Sequence, residues 1–186
     1  MAWVYSGRIL QTVSEMLRDR GFRDEEETDG DIVDTVHISR WRGDAGIAIV
    51  IAATKPRVGV RVVRALAEEL QSERAALLLL LIDGTLTHSA KGELAAVAGL
   101  EAFCAEELRY NVTKHELVPP HRRVGEEEWA RLVTEMPSVS RESLPAILFD
   151  DPVVRYYGWQ PGTVVRIDRR LGEQQVYPYF RIVTKI

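Results

Sequence analysis

Cysteine is nearly absent from this chain of 186 residues, in which Cys104 is the only one. A single cysteine excludes a disulfide within the chain and is typical of a reducing compartment. Long apolar runs are missing as well, because the longest, Ala75 to Ile82, is far shorter than the 18 or more residues of a membrane-spanning helix. The opening residues MAWVYSGRILQ lack the basic-then-apolar order of a secretory signal. The composition therefore predicts an intracellular globular protein.

An excess of positive charge is also lacking. The chain has 24 basic and 28 acidic residues, which gives a net charge of −4. Up to and including Asn111 there are 13 basic and 18 acidic residues, whereas the remainder has 11 and 10. This balance excludes a generic nucleic-acid binder coated with lysine. Any contact with DNA must therefore be local and made by a few residues.

Signals of catalysis are missing too. The four histidines are His37, His88, His115 and His121. The closest pair, His115 and His121, is separated by Pro119-Pro120, which prevents the two rings from sharing one helical face. No HExxH or paired CxxC spacing, no glycine-rich phosphate loop and no GxSxG nucleophile turn occurs. The sequence predicts no catalytic residue, no metal site and no cofactor.

The N-terminal part alternates helix and strand patterns. Apolar residues recur at helical spacing from Ile9 to Leu17, with Ser6 as a possible cap. The acidic stretch from Asp24 to Asp31 is interpreted as a solvated loop. Strands are predicted over Ile32 to Ser39, Gly46 to Ala53 and Ala76 to Ile82, with a turn at Arg42-Gly43-Asp44 between the first two. Val60 to Leu70 follows as a helix, and Thr87 or Ser89 is predicted to cap a further short helix, so the pattern indicates an α/β domain.

The pattern changes after Asn111. Gly125 is followed by three glutamates, which favour the start of a helix. Asp151-Pro152 predicts a second helix start, with Asp at the cap and Pro in the first turn. Short β-branched runs at Thr163 to Ile167 and Val176 to Val183 predict strands. This part is therefore predicted to be a small α+β domain.

One catalytic layout fits the N-terminal part incompletely. Nucleases with a PD...(D/E)xK site hold Mg²⁺ with an acid on one strand and another acid two residues before a lysine on the next. Asp34 fits the first acid and Lys55 fits the lysine. The residue two before Lys55 is Ala53, which cannot bind a metal. A divergent nuclease is therefore the least favoured interpretation.

Five ordered motifs cover about 70 residues of the C-terminal part. They are Asn111-Val-Thr-Lys-His115-Glu-Leu-Val-Pro119, Leu144-Pro145, Asp151-Pro152-Val-Val-Arg155-Tyr156-Tyr157-Gly158, Gly162-Thr-Val-Val-Arg166-Ile167 and Tyr179-Phe-Arg181-Ile-Val183. In order and spacing they closely resemble the fifth shared subunit of eukaryotic nuclear RNA polymerases and its counterpart in archaeal RNA polymerase. Five motifs in order are far more specific than one.

The resemblance is weaker in the N-terminal part. Lys55-Pro-Arg57-Val-Gly59-Val60 resembles the stretch that opens a helix in the family. Thr87-His88-Ser89-Ala90-Lys91 is similar to the T-P-S-A-K motif of eukaryotic members, with His88 in place of proline. The archaeal counterpart consists of the C-terminal part alone, so this chain is similar to the eukaryotic type with a shortened N-terminal part. A divergent protist or a large DNA virus is a source that fits such shortening.

The resemblance implies a fold and a role. It implies an α/β jaw domain over 1–111, three-layered and restriction-endonuclease-like without the active site, and an α+β assembly domain over 112–186. The chain would be a non-catalytic subunit of a DNA-directed RNA polymerase, without a cofactor. It would dock on the largest subunit and form part of the lower jaw near downstream DNA. Its location would be the nucleus, or a viral factory or virion if a large DNA virus encodes it.

Site residues are also implied by the resemblance. The partner-binding set is His115, Pro119, Asp151, Pro152, Arg155, Tyr156, Tyr157, Gly158, Arg166 and Arg181. Thr87, Ser89 and Lys91 are expected to meet a DNA phosphate at a helix start, with a simple capped surface helix as the alternative. Internal roles stay open as well: Tyr156 in the core, Arg155 as an ion-pair partner, and His115 as a buried hydrogen-bonding residue, which is favoured over direct partner contact.

A second function class remains open. A free-standing DNA-associated transcription regulator could have acquired the same C-terminal domain. A polymerase subunit would co-purify in equal amounts with very large partners, whereas a regulator would be substoichiometric. A nuclease would cut DNA alone in the presence of Mg²⁺.

Overall fold

The computed structural model describes residues 7–27, 31–32, 34–171 and 175–185. The chain divides into two compact units, unit 1 (Met1–Tyr110) and unit 2 (Asn111–Ile186). Within the described ranges, no helix combines the length and the apolar character needed to cross a membrane. Ser6, the predicted cap of the first helix, lies outside the described residues.

Unit 1 contains both helices and strands. Its described helices are α1 (Gly7–Asp19), α2 (Val60–Ser72) and α3 (His88–Ala96). Its described strands are β1 (Phe22–Glu27), β2 (Asp31–Ile32), β3 (Thr35–Gly43), β4 (Gly46–Ala53), β5 (Arg57–Val58), β6 (Leu77–Ile82), β7 (Thr85–Leu86) and β8 (Leu100–Cys104). A short 3-10 helix, Ala105–Leu108, follows β8.

The main sheet of unit 1 has the strand order β1-β3-β4-β6-β8, with β2 paired to β3. The first three strands are antiparallel neighbours, and β4, β6 and β8 are parallel. All six residues of β6 are buried, which confirms the predicted apolar strand in the interior of an α/β sheet. The buried residues of α2, among them Val63 and Leu66, form one cluster with Ile49 and Leu80. Each such side chain stabilises the fold by about 1.5–3 kcal/mol relative to exposure.

The predicted loop from Asp24 to Asp31 is partly wrong. Phe22–Glu27 forms strand β1, which pairs antiparallel with β3. The register places Asp24 opposite Arg42 and Glu26 opposite Arg40. Backbone pairing with β3 therefore makes this segment an edge strand of the main sheet, and the acidic stretch alone gives no sign of that partner.

The predicted strand from Ile32 to Ser39 is interrupted. Asp34 has a φ of 56°, and β3 begins only after it. Aspartate is one of the few residues that adopt this left-handed conformation readily. The turn predicted at Arg42-Gly43-Asp44 lies slightly later, because Gly43 and Gly46 are the last paired residues of β3 and β4.

A small parallel sheet of β5 and β7 joins the loop before α2 to the loop before α3. The backbone N–H of Thr85 donates to the carbonyl oxygen of Pro56 over 2.8 Å. A Cβ on Gly84, whose φ is +149°, would lie 1.9 Å from that same oxygen. Only glycine permits this approach, so the two loops are held together by backbone contacts.

Unit 2 is a small α+β unit. Its described helices are α4 (Glu126–Glu135) and α5 (Pro152–Tyr157), and its described strands are β9 (His121–Arg123), β10 (Ala146–Leu148), β11 (Val164–Leu171) and β12 (Gln175–Thr184). The sheet order is β10-β12-β11-β9, with β10 parallel to β12 and the other pairs antiparallel. Its core cluster consists of Ile147, Val154, Val165, Ile167 and Val183. The predicted strands and the helix start after Gly125 are confirmed.

Candidate functional site

Helix α5 is positioned by local rules that its sequence carries. Asp151 caps it, because one carboxylate oxygen accepts the backbone N–H of Val153 over 2.9 Å and that of Val154 over 3.3 Å. Pro152 occupies the first turn, where its missing N–H costs nothing. Gly158 ends the helix with a φ of 67°, a left-handed conformation that suits glycine. The predicted cap and first turn are confirmed, and both ends of α5 are fixed by local contacts.

The two tyrosines of α5 have different roles. Tyr156 is only 4% exposed, and its hydroxyl accepts a hydrogen bond from Asn111 Nδ2 over 2.9 Å. Its ring therefore lies in the interior of unit 2, as the core alternative for this residue expects. Tyr157 is half-buried, and its ring stacks on Trp159 with centroids 4.6 Å apart. Tyr157 and Trp159 thus present a partly exposed aromatic pair, with half-buried Arg155 one residue before Tyr156.

Trp159 is a candidate that the sequence patterns do not single out. It follows the glycine that ends α5, and it packs partly against the core cluster of unit 2. The sequence does offer one signal for it: Trp159 comes directly after the glycine that ends the helix and two residues after Tyr157. Partly exposed aromatic side chains with low conformational freedom are the type that protein interfaces favour.

The loop around His115 is at the surface. His115 is exposed, and its Nδ1 accepts the backbone N–H of Leu117 over 3.2 Å. The favoured expectation of a buried hydrogen-bonding role is therefore wrong, because this hydrogen bond shapes an exposed turn. Leu117 is 84% exposed. Pro119 is half-buried, and its carbonyl oxygen lies 2.6 Å from Nδ1 of His121.

Arg166 and Arg181, which belong to the predicted partner-binding set, lie on the sheet of unit 2 and bond to groups within that unit. Arg181 Nη1 donates to the carbonyl oxygen of Ala146 over 2.8 Å, which links β12 to β10. Arg166 Nε donates to Asp168 over 2.7 Å, and its Nη1 lies 3.3 Å from Glu128. These contacts engage both guanidinium groups in the fold of unit 2.

Glu128 connects three elements through its carboxylate. It forms a two-bond pair with Arg122 on β9, at 2.6 and 2.7 Å, and the contact with Arg166 on β11. The hydrogen bonds from Arg122 hold the pKa of Glu128 below its usual value, against partial burial and with a further contribution from Arg166. The pKa of Arg122 is raised by the same pair.

Replacing Glu128 with Gln is expected to destabilise unit 2 by about 1–2 kcal/mol at neutral pH, since charge-assisted hydrogen bonds are lost. A lowered folded-state pKa stabilises the fold above the ordinary pKa of glutamate, and this stabilisation disappears as the pH falls through the folded-state pKa. The gap between variant and wild type should therefore close in acid. Urea unfolding across this pH range measures it, and Glu135→Gln, an exposed residue of the same helix, is the control. An equal loss in both variants would contradict the role of Glu128.

Thr87, one of the two predicted caps, is the N-cap of α3. The hydroxyl oxygen of Thr87 accepts the backbone N–H of Ala90 over 3.3 Å. Ser89 and Lys91 are exposed in the first turn. The three residues therefore share one helix start at the surface of unit 1, and the geometry is compatible with both the phosphate contact and the simple capped helix.

The positions of the nuclease layout lie together in unit 1. Lys55 Nζ is 2.7 Å from Asp34 Oδ1, and the backbone carbonyl of Asp34 accepts the N–H of Thr54. Ala53 is buried in the apolar cluster with Val58. The acid and the lysine are therefore adjacent, but an apolar side chain stands where a second carboxylate is needed. Among the described residues, no group of three metal-binding side chains forms.

Comparisons with known families divide the chain at the same place as the two units. Residues 110–183 match the family described as RNA polymerase Rpb5, C-terminal domain. Residues 7–111 match the family described as Restriction endonuclease. Unit 1 is thus similar in sequence to nucleases.

Curated relatives match nearly the whole chain. The subunit RPABC1 of DNA-directed RNA polymerases I, II and III from Caenorhabditis briggsae is 30% identical over 95% of this chain and 94% of the relative. The corresponding subunit of Dictyostelium discoideum is 30% identical over 87% of this chain and 88% of its own length. Subunit 5A of DNA-directed RNA polymerase V from Arabidopsis thaliana is 31% identical over 91% of this chain and 83% of its own length.

Proposed function

Because the chain belongs to the family of the RNA polymerase subunit Rpb5, also named RPABC1, we propose that it is a non-catalytic subunit of a DNA-directed RNA polymerase. Similarity to the RPABC1 relatives runs through both units, and this observation carries the proposal. A regulator that had acquired only the C-terminal domain would not extend the similarity into unit 1. The family resemblance of the five motifs is thereby confirmed.

Unit 2 is proposed to be the assembly domain that docks on the largest polymerase subunit. The capped helix α5 carries the half-buried side chains of Arg155 and Tyr157, and Tyr157 stacks on Trp159 just after the helix. Flat aromatic rings and a guanidinium group are the side chains that carry most binding energy in protein interfaces. The exposed turn from His115 to Pro119 is proposed to contribute to the same partner. Tyr156 and Arg166 support the domain from inside.

Unit 1 is proposed to form the lower jaw beside downstream DNA, with a three-layer arrangement of helices on its sheet. The start of α3, with Thr87, Ser89 and Lys91, would meet a phosphate without reading bases. The acidic net charge of the N-terminal part fits a surface that borders DNA locally. As part of a nuclear polymerase the chain would act in the nucleus; the same role in a large DNA virus would place it in a viral factory or virion.

Nuclease activity is the second candidate, since residues 7–111 match the restriction endonuclease family. It is disfavoured because Ala53 replaces the carboxylate that would complete a Mg²⁺ site with Asp34. We expect the chain alone to leave supercoiled plasmid DNA intact in the presence of Mg²⁺ or Mn²⁺. Cleavage that EDTA stops would favour the nuclease instead.

The polymerase role is tested by a tagged pull-down of the full chain from its native source. The two largest polymerase subunits are expected in amounts equal to the tagged chain, because a stable subunit co-purifies with its complex. Substoichiometric recovery would favour the transcription regulator. Recovery of the folded chain alone would overturn the polymerase role.

A further inference from the structure

A basic cavity of about 290 Å³ opens in unit 1 between the end of β4 and the start of α2. Lys55, Arg57 and Arg61 line it together with one acid, Asp34. Lys55 is paired with Asp34, whereas Arg57 and Arg61 are exposed and form no ion pair among the residues that the structure describes. The cavity therefore holds two positive charges that no acid in its wall offsets.

This basic cavity lies where a nuclease of the PD...(D/E)xK layout would assemble its metal site. Such a site needs at least two carboxylates to attract a divalent cation. Here Ala53 removes one of them, Lys55 neutralises the other, and Val62 joins Ala53 in the apolar cluster. Because Arg57 also lines the cavity, the net charge of its wall is positive and attracts an anion, whereas a metal site needs a negative wall that attracts a cation.

We propose that the basic cavity binds a backbone phosphate of duplex DNA. Arginine forks donate parallel hydrogen bonds to phosphate oxygens, and Arg57 and Arg61 both border the opening. The remaining lining residues are aliphatic or glycine, so the wall offers no aromatic ring on which a base could stack. The site therefore favours a phosphate of a backbone over a nucleotide that must be held by its base.

The surrounding charge restricts where DNA can approach. The chain up to Asn111 has 13 basic and 18 acidic residues, so most of this part repels a polyanion. The basic cavity is joined to the start of α3, since the N–H of Thr87 donates to the carbonyl of Val58 over 3.0 Å. A duplex that meets Lys91 and the cavity would therefore contact two neighbouring loops. The inference rests on the proposed position of unit 1 beside DNA and adds a second contact there.

The test is an NMR titration of the full-length, 15N-labelled chain with a duplex of about 20 base pairs at low salt, in the affinity range of non-specific DNA binding. Amide signals of Val58 to Val62 should shift with the duplex. Arg57→Gln combined with Arg61→Gln is expected to weaken binding about tenfold or more and to reduce the salt dependence by about one phosphate contact.

The matched control removes two arginines outside the cavity, Arg23→Gln with Arg64→Gln, which lie in ion pairs with Asp44 and Glu93. It should bind DNA nearly as wild type does. Equal weakening in both double variants, or no shift at Val58 to Val62, would overturn the inference. A titration with inorganic phosphate is the second arm: shifts with phosphate but none with the duplex would indicate a small-anion site and would also overturn it.

Asp34→Asn provides the opposite change. Asparagine adopts the left-handed conformation of Asp34 and keeps its backbone contact with Thr54. Because the variant releases Lys55, DNA binding should become several-fold tighter; unchanged or weaker binding would contradict the inference. The Arg57→Gln, Arg61→Gln variant should still co-purify with the polymerase. Failure of wild type to co-purify would instead affect the proposed function, whatever the DNA titration gives.

Discussion

A chain carrying Arg155→Glu and Tyr157→Ala is expected to lose its association with the polymerase while remaining folded. Both side chains are half-buried on the rigid helix α5, and Tyr157 is held in place by stacking on Trp159. Arginine and tyrosine at the centre of an interface each contribute about 2 kcal/mol or more. Removing both, with charge reversal at one, should weaken association at least a hundredfold, or about 3 kcal/mol. The pull-down ratio to the largest subunit measures it.

The control makes the same two types of substitution, Arg to Glu and Tyr to Ala, at other positions in unit 2. Arg131 on α4 is exposed, and Tyr177 on β12 is 45% exposed. Arg131→Glu with Tyr177→Ala should leave the ratio to the largest subunit close to wild type. Both variants should remain folded at 25 °C, since the two ring contacts that Tyr157 loses cost about 1 kcal/mol each; thermal unfolding checks this. Equal loss of association in the control would contradict the docking role of α5.

The elements that sequence could predict are those defined by residues close together in the chain. Asp151, Pro152 and Gly158 fix the two ends of α5 through backbone contacts within a few positions. Thr87 caps α3 for the same reason. The apolar strand Leu77–Ile82 needs no knowledge of its partners, because a run of this kind is buried wherever the sheet places it.

What sequence could not predict depends on distant partners. The acidic residues of β1 form a strand because β3 pairs with them. Arg166 forms its ion pair with Glu128, 38 positions away, so its internal role has no local sign. The expected burial of His115 is wrong. A histidine inside a motif gives no local sign of whether it is buried, and the turn that His115 forms lies at the surface.

The basic cavity is an intermediate case. The missing carboxylate at Ala53 follows directly from its spacing to Lys55 in the sequence. That Arg57 and Arg61 share one wall follows only from the fold, since β5 ends and α2 begins between them. Charge counted along the chain hides such a site, because the acidic residues of unit 1 outnumber the basic ones.

Tyr156→Ala is expected to destabilise unit 2 strongly. The side chain is almost fully buried, its ring meets Tyr157 edge to face at 5.1 Å, and its hydroxyl accepts from Asn111. Truncating a buried aromatic residue costs about 3–5 kcal/mol. A small domain has a total stability of about 5–15 kcal/mol, so this loss consumes much of it. Urea unfolding followed by tyrosine and tryptophan fluorescence measures the change.

Tyr156→Phe separates packing from hydrogen bonding at the same position. It keeps the ring and removes one hydrogen bond, which costs about 1 kcal/mol, and Asn111 keeps its second contact through the N–H of Thr113. This variant should stay folded and should still co-purify with the polymerase. If Tyr156→Ala instead remained as stable as wild type but lost the polymerase, Tyr156 would be a docking residue. Because Tyr156→Phe preserves the core, a folded phenylalanine variant that fails to co-purify with the polymerase would show that the hydroxyl contacts the partner.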